Sequence, residues 1–429
     1  MKRFLALGLV LLACVSCTGR NADNTEKMTS APESVTETAV ETEAETEAET
    51  FPDYTAEPPE EYEDTLWTEY KRLPNTEKNL YLEIYESVLS DSSIIDNFEM
   101  YNILRFRGDI DIVSVKKAAS AVIWDHPELF FLNGNFYCRP GTDKDGDYQK
   151  LKIYRTVKPD KIPEMEKKLE KAVELVVTKA EKRKTDLEKA LFVHDYLVKN
   201  CVYDTKAADA VLGNSPDEPY GKDLNLSFTA YGCLVNNKAV CEGYAEAYQI
   251  ILNRLGIPCG RVTAMLEDIP HALNWVMLDG RYSYVDVTND DVPYELNGNK
   301  YNEPFYAYFG VSEDWISATH SDIGYDLDTD IDMFVPECDT MEHNPVYRKG
   351  LCFDAYDFAA LKDAADRSVN SMSTYFDVIF ESKEEYEKAE DELFAGKIFN
   401  LQASKGATYV NGIYFNFGER YNMRIVYTK

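Results

Sequence analysis

The chain has 429 residues, with 76 acidic against 45 basic side chains, a formal net charge of −31, 45% hydrophobic and 13% aromatic residues. That apolar content suffices for a real core and the length suggests two or three domains, while the acid excess argues against nucleic acid or an anionic membrane as partner, because phosphate binding needs clustered Lys and Arg. No uninterrupted apolar run reaches the ~18–20 residues of a bilayer-spanning helix, so a polytopic membrane protein is excluded.

In chain order, the first segment is an address. Lys2 and Arg3 precede an apolar stretch from Phe4 to Ala13, the length of a secretory signal core and too short to span a membrane. Small residues then lead into two cysteines. The run Leu11-Leu12-Ala13-Cys14 resembles the bacterial lipoprotein signal, in which the cysteine is acylated, and Cys17, preceded by Ser16, is the alternative site. The expectation is an exported protein, tethered to the envelope by acyl chains alone. From Asn21 to Asp64 there are fifteen acids and one base, with ETEAETEAET at 41–50. Alternating Glu and Thr offer no apolar face, so an extended solvated linker is expected, with a reach of ~150 Å when fully stretched.

Helical periodicity marks 76–90 and 112–124, and Asp125-His126-Pro127 stops the second helix, since Pro disfavours helix at the residue before it. Strand-like runs at 134–140 and 148–157 flank Asp143-Lys144-Asp145-Gly146-Asp147. That turn lacks the glycine and glutamate positions of an EF-hand loop, so it reads as a hairpin turn and not a calcium site. A charged helix is expected over 160–183, and Thr185 and Asp186 cap another that runs to about Asn200. In the tail, 376–381 reads as a strand, Ser382-Lys383-Glu384-Glu385 as a capping box opening a helix that ends at Gly396, and 408–416 and 421–428 as closing strands.

The downstream cysteines are Cys138, Cys201, Cys233, Cys241, Cys259, Cys338 and Cys352, with no Cys-x-x-Cys pair among them and only five histidines in the chain. A structural zinc site is therefore not expected, and up to three disulfides could form in an exported chain. Cys241 stands out because it opens Cys241-Glu242-Gly243-Tyr244-Ala245-Glu246-Ala247-Tyr248, a helical stretch stopped at Gly256 with Pro258 beyond. The first turn of a helix is the positive end of its dipole, which favours a thiolate.

His271–Leu278 and Arg281–Thr288 are two strand-like runs around Asp279-Gly280, a strong hairpin signal. A two-residue turn there pairs 278 with 281, so Asp286 lies opposite Leu273 and diagonal to His271 on one face. Ala272, Val276, Leu278, Val285 and Val287 share the other. Sheet parity thus sets an acid beside an imidazole and leaves one ring nitrogen for a thiol, which is what a Cys-His-Asp triad needs. His194, beside Asp195 in a helix, reads as structural, His126 as a helix-end residue, and His320 and His343 as loop residues without a nameable partner. Asp326, Asp328, Asp330 and Asp332 read as a solvated face.

These residues resemble the transglutaminase-like superfamily, whose fold is papain-related. The likeness rests on Ala230-Tyr231-Gly232, Lys238-Ala239-Val240-Cys241-Glu242-Gly243-Tyr244-Ala245, His271-Ala272-Leu273-Asn274 and Tyr284-Val285-Asp286-Val287-Thr288. His194-Asp195-Tyr196-Leu197, Tyr203-Asp204 and Asp125-His126-Pro127-Glu128-Leu129-Phe130 extend it upstream. The resemblance implies an α+β fold, with an antiparallel sheet packed on a helix that carries the nucleophile Cys241, His271 as base and Asp286 as its orienting acid. For the oxyanion it leaves the Cys241 backbone N–H, with Tyr231 or Tyr203 as hydroxyl candidates. It departs from many relatives at Leu273, where they carry Trp, and at Asn289, where they carry an aromatic; both positions are expected to shape the substrate groove.

The expected layout is a lipoprotein signal at 1–17, an acidic Glu/Thr-rich disordered linker at 18–64, an N-terminal helical domain with a hairpin at 65–184, the transglutaminase-like catalytic domain at 185–335 and a small α+β module at 336–429. The expected activity is cysteine-dependent acyl transfer on peptide or amide bonds of an extracellular protein or cell-wall peptide, hydrolysis ahead of crosslinking, with no cofactor and no metal. The alternative is a non-catalytic surface-binding module that keeps the fold.

Overall fold

The computed structural model describes residues 67–90, 94–96, 99–211, 225–266, 268–296, 299–326, 330–370, 375–394, 408–417 and 420–428. The signal with Cys14 and Cys17, the acidic linker and the helix end expected at Gly396 lie outside the described residues. No described helix is long and apolar enough to cross a membrane.

The N-terminal third joins its helices to a sheet larger than the one hairpin expected. The helices Asn75–Leu89 and Ile112–Asp125 fall where periodicity puts them, but a four-stranded antiparallel sheet packs with them, in the order 94–96, 99–107, 146–155, 132–143. Its first two strands were not expected, because Glu99–Arg107 mixes charges with apolar residues and carries no turn signal of its own. The last two form the expected hairpin, closed by Asp143 opposite Gly146. Its Asp143 carboxylate is taken by Arg107 (2.6 Å) and by the Asp145 amide (2.9 Å), which suits a turn. His126 ends its helix inside an aromatic cluster, stacked 4.1 Å from Tyr85.

The helix Asp186–Asn200 opens with the reciprocal Thr185–Glu188 capping box. Together with Ile162–Ala180 it packs on Cys241–Arg254, the helix at the centre of the molecule. Against that helix lies a five-stranded antiparallel sheet, in the order 309–311, 281–285, 269–278, 259–266, 320–321. The hairpin register is the one parity requires: Leu278 faces Arg281 and Asn274 faces Val285. Asp279 and Gly280 both take positive φ (50° and 77°), the left-handed pair such a two-residue turn needs.

The two faces of this hairpin belong to two cores. Val276, Leu278 and Val285 join a cluster with Tyr244, Tyr248 and Ile251 that runs on through Val193 to Leu80. Leu273, Trp275 and Tyr284 join a second cluster with Val378, Phe380 and Ile425 from the C-terminal part. Each core crosses a boundary drawn between domains, so sheet and flanking regions share their apolar burial. The strand ends at Val285, earlier than Thr288, because Asp286 caps a short helix over Val287–Asp290.

The C-terminal part is a four-stranded sheet, in the order 352–353, 375–380, 420–428, 408–417, with the helices Phe358–Asn370 and Lys383–Phe394; the capping residue Ser382 accepts from the Glu385 amide. Arg424, fully buried, grips Asp377 through two contacts of 2.6 and 2.7 Å. The short hairpin of 294–296 and 299–301, with Tyr294 stacked on Tyr301, forms a separate unit.

Candidate active site

Cys241 is the first residue of its 14-residue helix, with Val240 as an extended N-cap. The approach to it is rigid. Val202–Tyr203 pairs in parallel with Lys238–Ala239, the Val240 amide donates to Ser227 O (2.9 Å), and Ser227 Oγ donates to Asp204 (2.7 Å). Gly243 is needed one turn in: a Cβ there would stand 2.7 Å from Ser227 O and 2.8 Å from Thr229 O. Arg261, buried, ties Glu242 and Glu246 of the same helix to the sheet, each at 2.6 Å. Asn274 Nδ2 donates to Ala245 O (3.0 Å), pinning the helix against the strand that carries His271.

At the end of that strand His271 Nε2 lies 2.7 Å from Asp286 Oδ2. His271 is 8% exposed and Asp286 not at all. The Cys241 sulfur is within hydrogen-bonding range of the same imidazole. With Nε2 on the carboxylate, Nδ1 is the nitrogen left for sulfur. Burial alone would lower the His271 pKa, but the charges of Asp286 and Cys241 outweigh it and hold it well above its ordinary value. Burial likewise works to raise Asp286, yet the His271 charge and hydrogen bonds from His271 and His320 hold it well below the usual carboxylate range. The site therefore favours a carboxylate beside an imidazolium.

Two further residues complete the carboxylate's shell, and sequence reading missed both. Asn289 gives its backbone N–H to Oδ1 (3.1 Å) and its side-chain amide to Oδ2 (2.7 Å). Its amides serve the acid, and the Asp286-x-x-Asn289 spacing of an Asp N-cap was the available signal. His320 is 3% exposed, with Nε2 3.3 Å from Asp286 Oδ2. It reaches the site through a pairing across the sheet with Leu266, which no local pattern announces. Leu273, 1% exposed, belongs to the second core.

Of the two tyrosines, Tyr203 is the one beside the site. Burial and then the charges of Cys241 and Asp286 raise its pKa, and it stays 37% exposed. Tyr231 is core, its ring 5.0 Å from Phe130. His194 is buried between Asp195 and Asp290, each 3.1 Å away, and His343 accepts or donates to Ser283 Oγ at 2.9 Å, so neither lacks a partner. Asp326 and Asp332 flank a small hairpin in which Tyr325 donates to Asp330.

The seven cysteines from Cys138 to Cys352 are all free thiols, and none of the up to three bridges that the sequence allows joins them. Among the described residues one group could offer converging metal ligands: His271, Asp286 and His320, with ligand atoms within 4.8 Å of one another. Two ligands on a tetrahedral zinc at about 2.0–2.1 Å stand roughly 3.3 Å apart. The 2.7 Å contact between His271 and Asp286 is shorter and is a hydrogen bond.

Residues 173–287 match the family model of the transglutaminase-like superfamily. This stretch is a transglutaminase-like domain. It holds all three residues of the Cys-His-Asp cluster, with Asp286 next to its end. Among solved structures, the chain is similar to a TGase (16% identity, TM-score 0.27, covering 46% of this chain and 53% of that one). It is also similar to a candidate cysteine protease from Cytophaga hutchinsonii (14%, 0.21, 37% and 63%) and a candidate protease from Parabacteroides distasonis (9%, 0.21, 69% and 62%). The chain thus spans 53% to 63% of the length of these proteins. No curated protein matches it.

Proposed function

We propose that the chain is a cysteine acyl-transfer enzyme that hydrolyses peptide or amide bonds, with Cys241 as nucleophile, His271 as base and then acid, and Asp286 as the group that orients the imidazole. One observation carries this reading: thiol, imidazole and buried carboxylate stand in contact in that order, with the sulfur at a helix N-terminus.

His271 takes the thiol proton, and the thiolate adds to the substrate carbonyl carbon. The resulting oxyanion lies near the Cys241 backbone N–H at the helix start, with the Tyr203 hydroxyl as second donor. Collapse expels the amine, which leaves with the proton from His271, and a thioester remains. Water, deprotonated by His271, then attacks the thioester, and the acid product departs as the thiol regains its proton. An amine in place of water would give a crosslink, which requires a site that excludes water. Cys241 is partly exposed and Tyr203 open to solvent, which favours hydrolysis.

The signal-like start and the acidic segment after it support an envelope protein, lipidated at Cys14 or Cys17 and acting on extracellular protein or cell-wall peptide. The test is turnover of peptide and amine libraries by wild type and Cys241→Ala. Release of new amino termini by wild type alone supports the proposal, and equal turnover by Cys241→Ala contradicts it.

A further inference from the structure

We propose that His320 is a positioning residue for the triad, a second buried histidine set against Asp286; this rests on the reading of Cys241, His271 and Asp286 as catalytic. Its ring is buried, 5.3 Å from the ring of His271 and 5.6 Å from that of Tyr308. Both imidazoles bring an Nε2 close to one oxygen, Asp286 Oδ2, at 2.7 and 3.3 Å; His271 makes the hydrogen bond, and His320 stands within ion-pair range without an aligned one.

The hydrogen on His320 follows from its neighbours. A bare nitrogen lone pair 3.3 Å from a carboxylate oxygen would be repelled, so Nε2 carries a hydrogen. Nδ1 lies 2.9 Å from Thr319 Oγ1, which in turn lies 3.2 Å from the Tyr308 hydroxyl. Thr319 Oγ1 also lies 3.3 Å from the Ile316 carbonyl, so its one hydrogen goes either to Nδ1 or to that carbonyl, with Nδ1–H then donating to Thr319. In either arrangement Nε2 keeps its hydrogen beside the carboxylate, and His320 holds Asp286 in place without taking the proton that His271 handles. Deep burial keeps water from taking the place of this N–H, so its loss removes a positive edge from beside the carboxylate. The other titratable groups that face Asp286 are His271, Tyr203 and Asp290, with Cys241 reached through His271.

His320 acts through Asp286 and His271 on the sulfur, so its effect is readable without a substrate. In the full chain, the rate of Cys241 alkylation by iodoacetamide is measured from pH 4.5 to 9, with near-UV circular dichroism to establish folding. For His320→Leu, the pH of half-maximal alkylation is expected to rise by roughly half a unit to one unit, making the reaction about three- to tenfold slower on the acid side. His320→Gln, whose amide can stand where Nε2–H stood, is expected to restore most of the wild-type profile. Thr319→Val is expected to give a smaller rise in the same direction. A folded His320→Leu protein with the wild-type profile overturns the proposal, as does a His320→Gln protein shifted as far as His320→Leu. Should His320→Leu not fold, Thr319→Val carries the test, and an unchanged profile there overturns it. A wild-type Cys241 no faster than the other thiols is a different failure: it removes the catalytic reading itself, and the role of His320 falls with it.

Discussion

Two buried histidine–aspartate pairs grow from one five-residue segment. Asp286 caps the short helix Val287–Asp290 and meets His271 at 2.7 Å, while Asp290 closes it and meets His194 at 3.1 Å. Both histidines are pushed up, His194 to about 9 against burial by hydrogen bonds it donates to its two acids, and both are buried. They differ in what the second ring nitrogen touches. His194 gives it to another carboxylate, Asp195 of its own helix, at 3.1 Å, so both nitrogens are spent, one within helix Asp186–Asn200 and one tying it to Val287–Asp290. His271 keeps its second nitrogen for a thiol. A perturbed, buried His–Asp pair is therefore no mark of catalysis by itself; the free nitrogen is.

The sharpest way to break the comparison is to alter each pair in turn. Cys241→Ala is expected to abolish turnover and leave the fold intact, and His271→Ala to lower kcat/KM by about 10³-fold or more, with Asp286→Asn somewhat less damaging through the wrong imidazole tautomer. Steady-state kinetics and circular dichroism check all three. His194→Leu is expected to cost about 3–5 kcal/mol of stability in urea titrations, because it strands the buried Asp290 carboxyl group, while the folded fraction keeps its Cys241 alkylation rate.

A weaker effect follows from pH. The native state keeps a proton on His194 that the unfolded chain releases, since its pKa lies above the ordinary 6.5, at about 9. Stability from this pair is complete below pH 6.5 and is lost as pH rises through 9, at up to about 1.4 kcal/mol per pH unit. Urea midpoints between those values are expected to fall less steeply in His194→Gln than in wild type. Smallest of all, Tyr203→Phe is expected to lower kcat less than tenfold with KM little changed, since the helix N-terminus still offers a donor to the oxyanion.

What the sequence made legible was local. The parity of the Asp279-Gly280 hairpin put His271 beside Asp286, and the Gly256 stop and the Thr185 capping box set helix ends to within a residue. Pairings across the chain were not legible. Glu99–Arg107 pairs with a strand some fifty residues on, and His320 reaches Asp286 only because 320–321 adds to the far edge of the sheet. Asn289 hid for another reason. A departure from relatives pointed outward to substrate, whereas its amide turns inward to the carboxylate.

Cys138 and Cys352 are internal controls for the central claim, being partly exposed like Cys241. Burial pushes them up to about 11 and about 12, so at neutral pH each is almost wholly thiol. Mass spectrometry after a limiting exposure to iodoacetamide at pH 6–7 ranks all seven thiols in one experiment. Modification of Cys241 at least a hundredfold ahead of Cys138 and Cys352 is the expected result, and equal, slow modification of all three would contradict a thiolate held by His271.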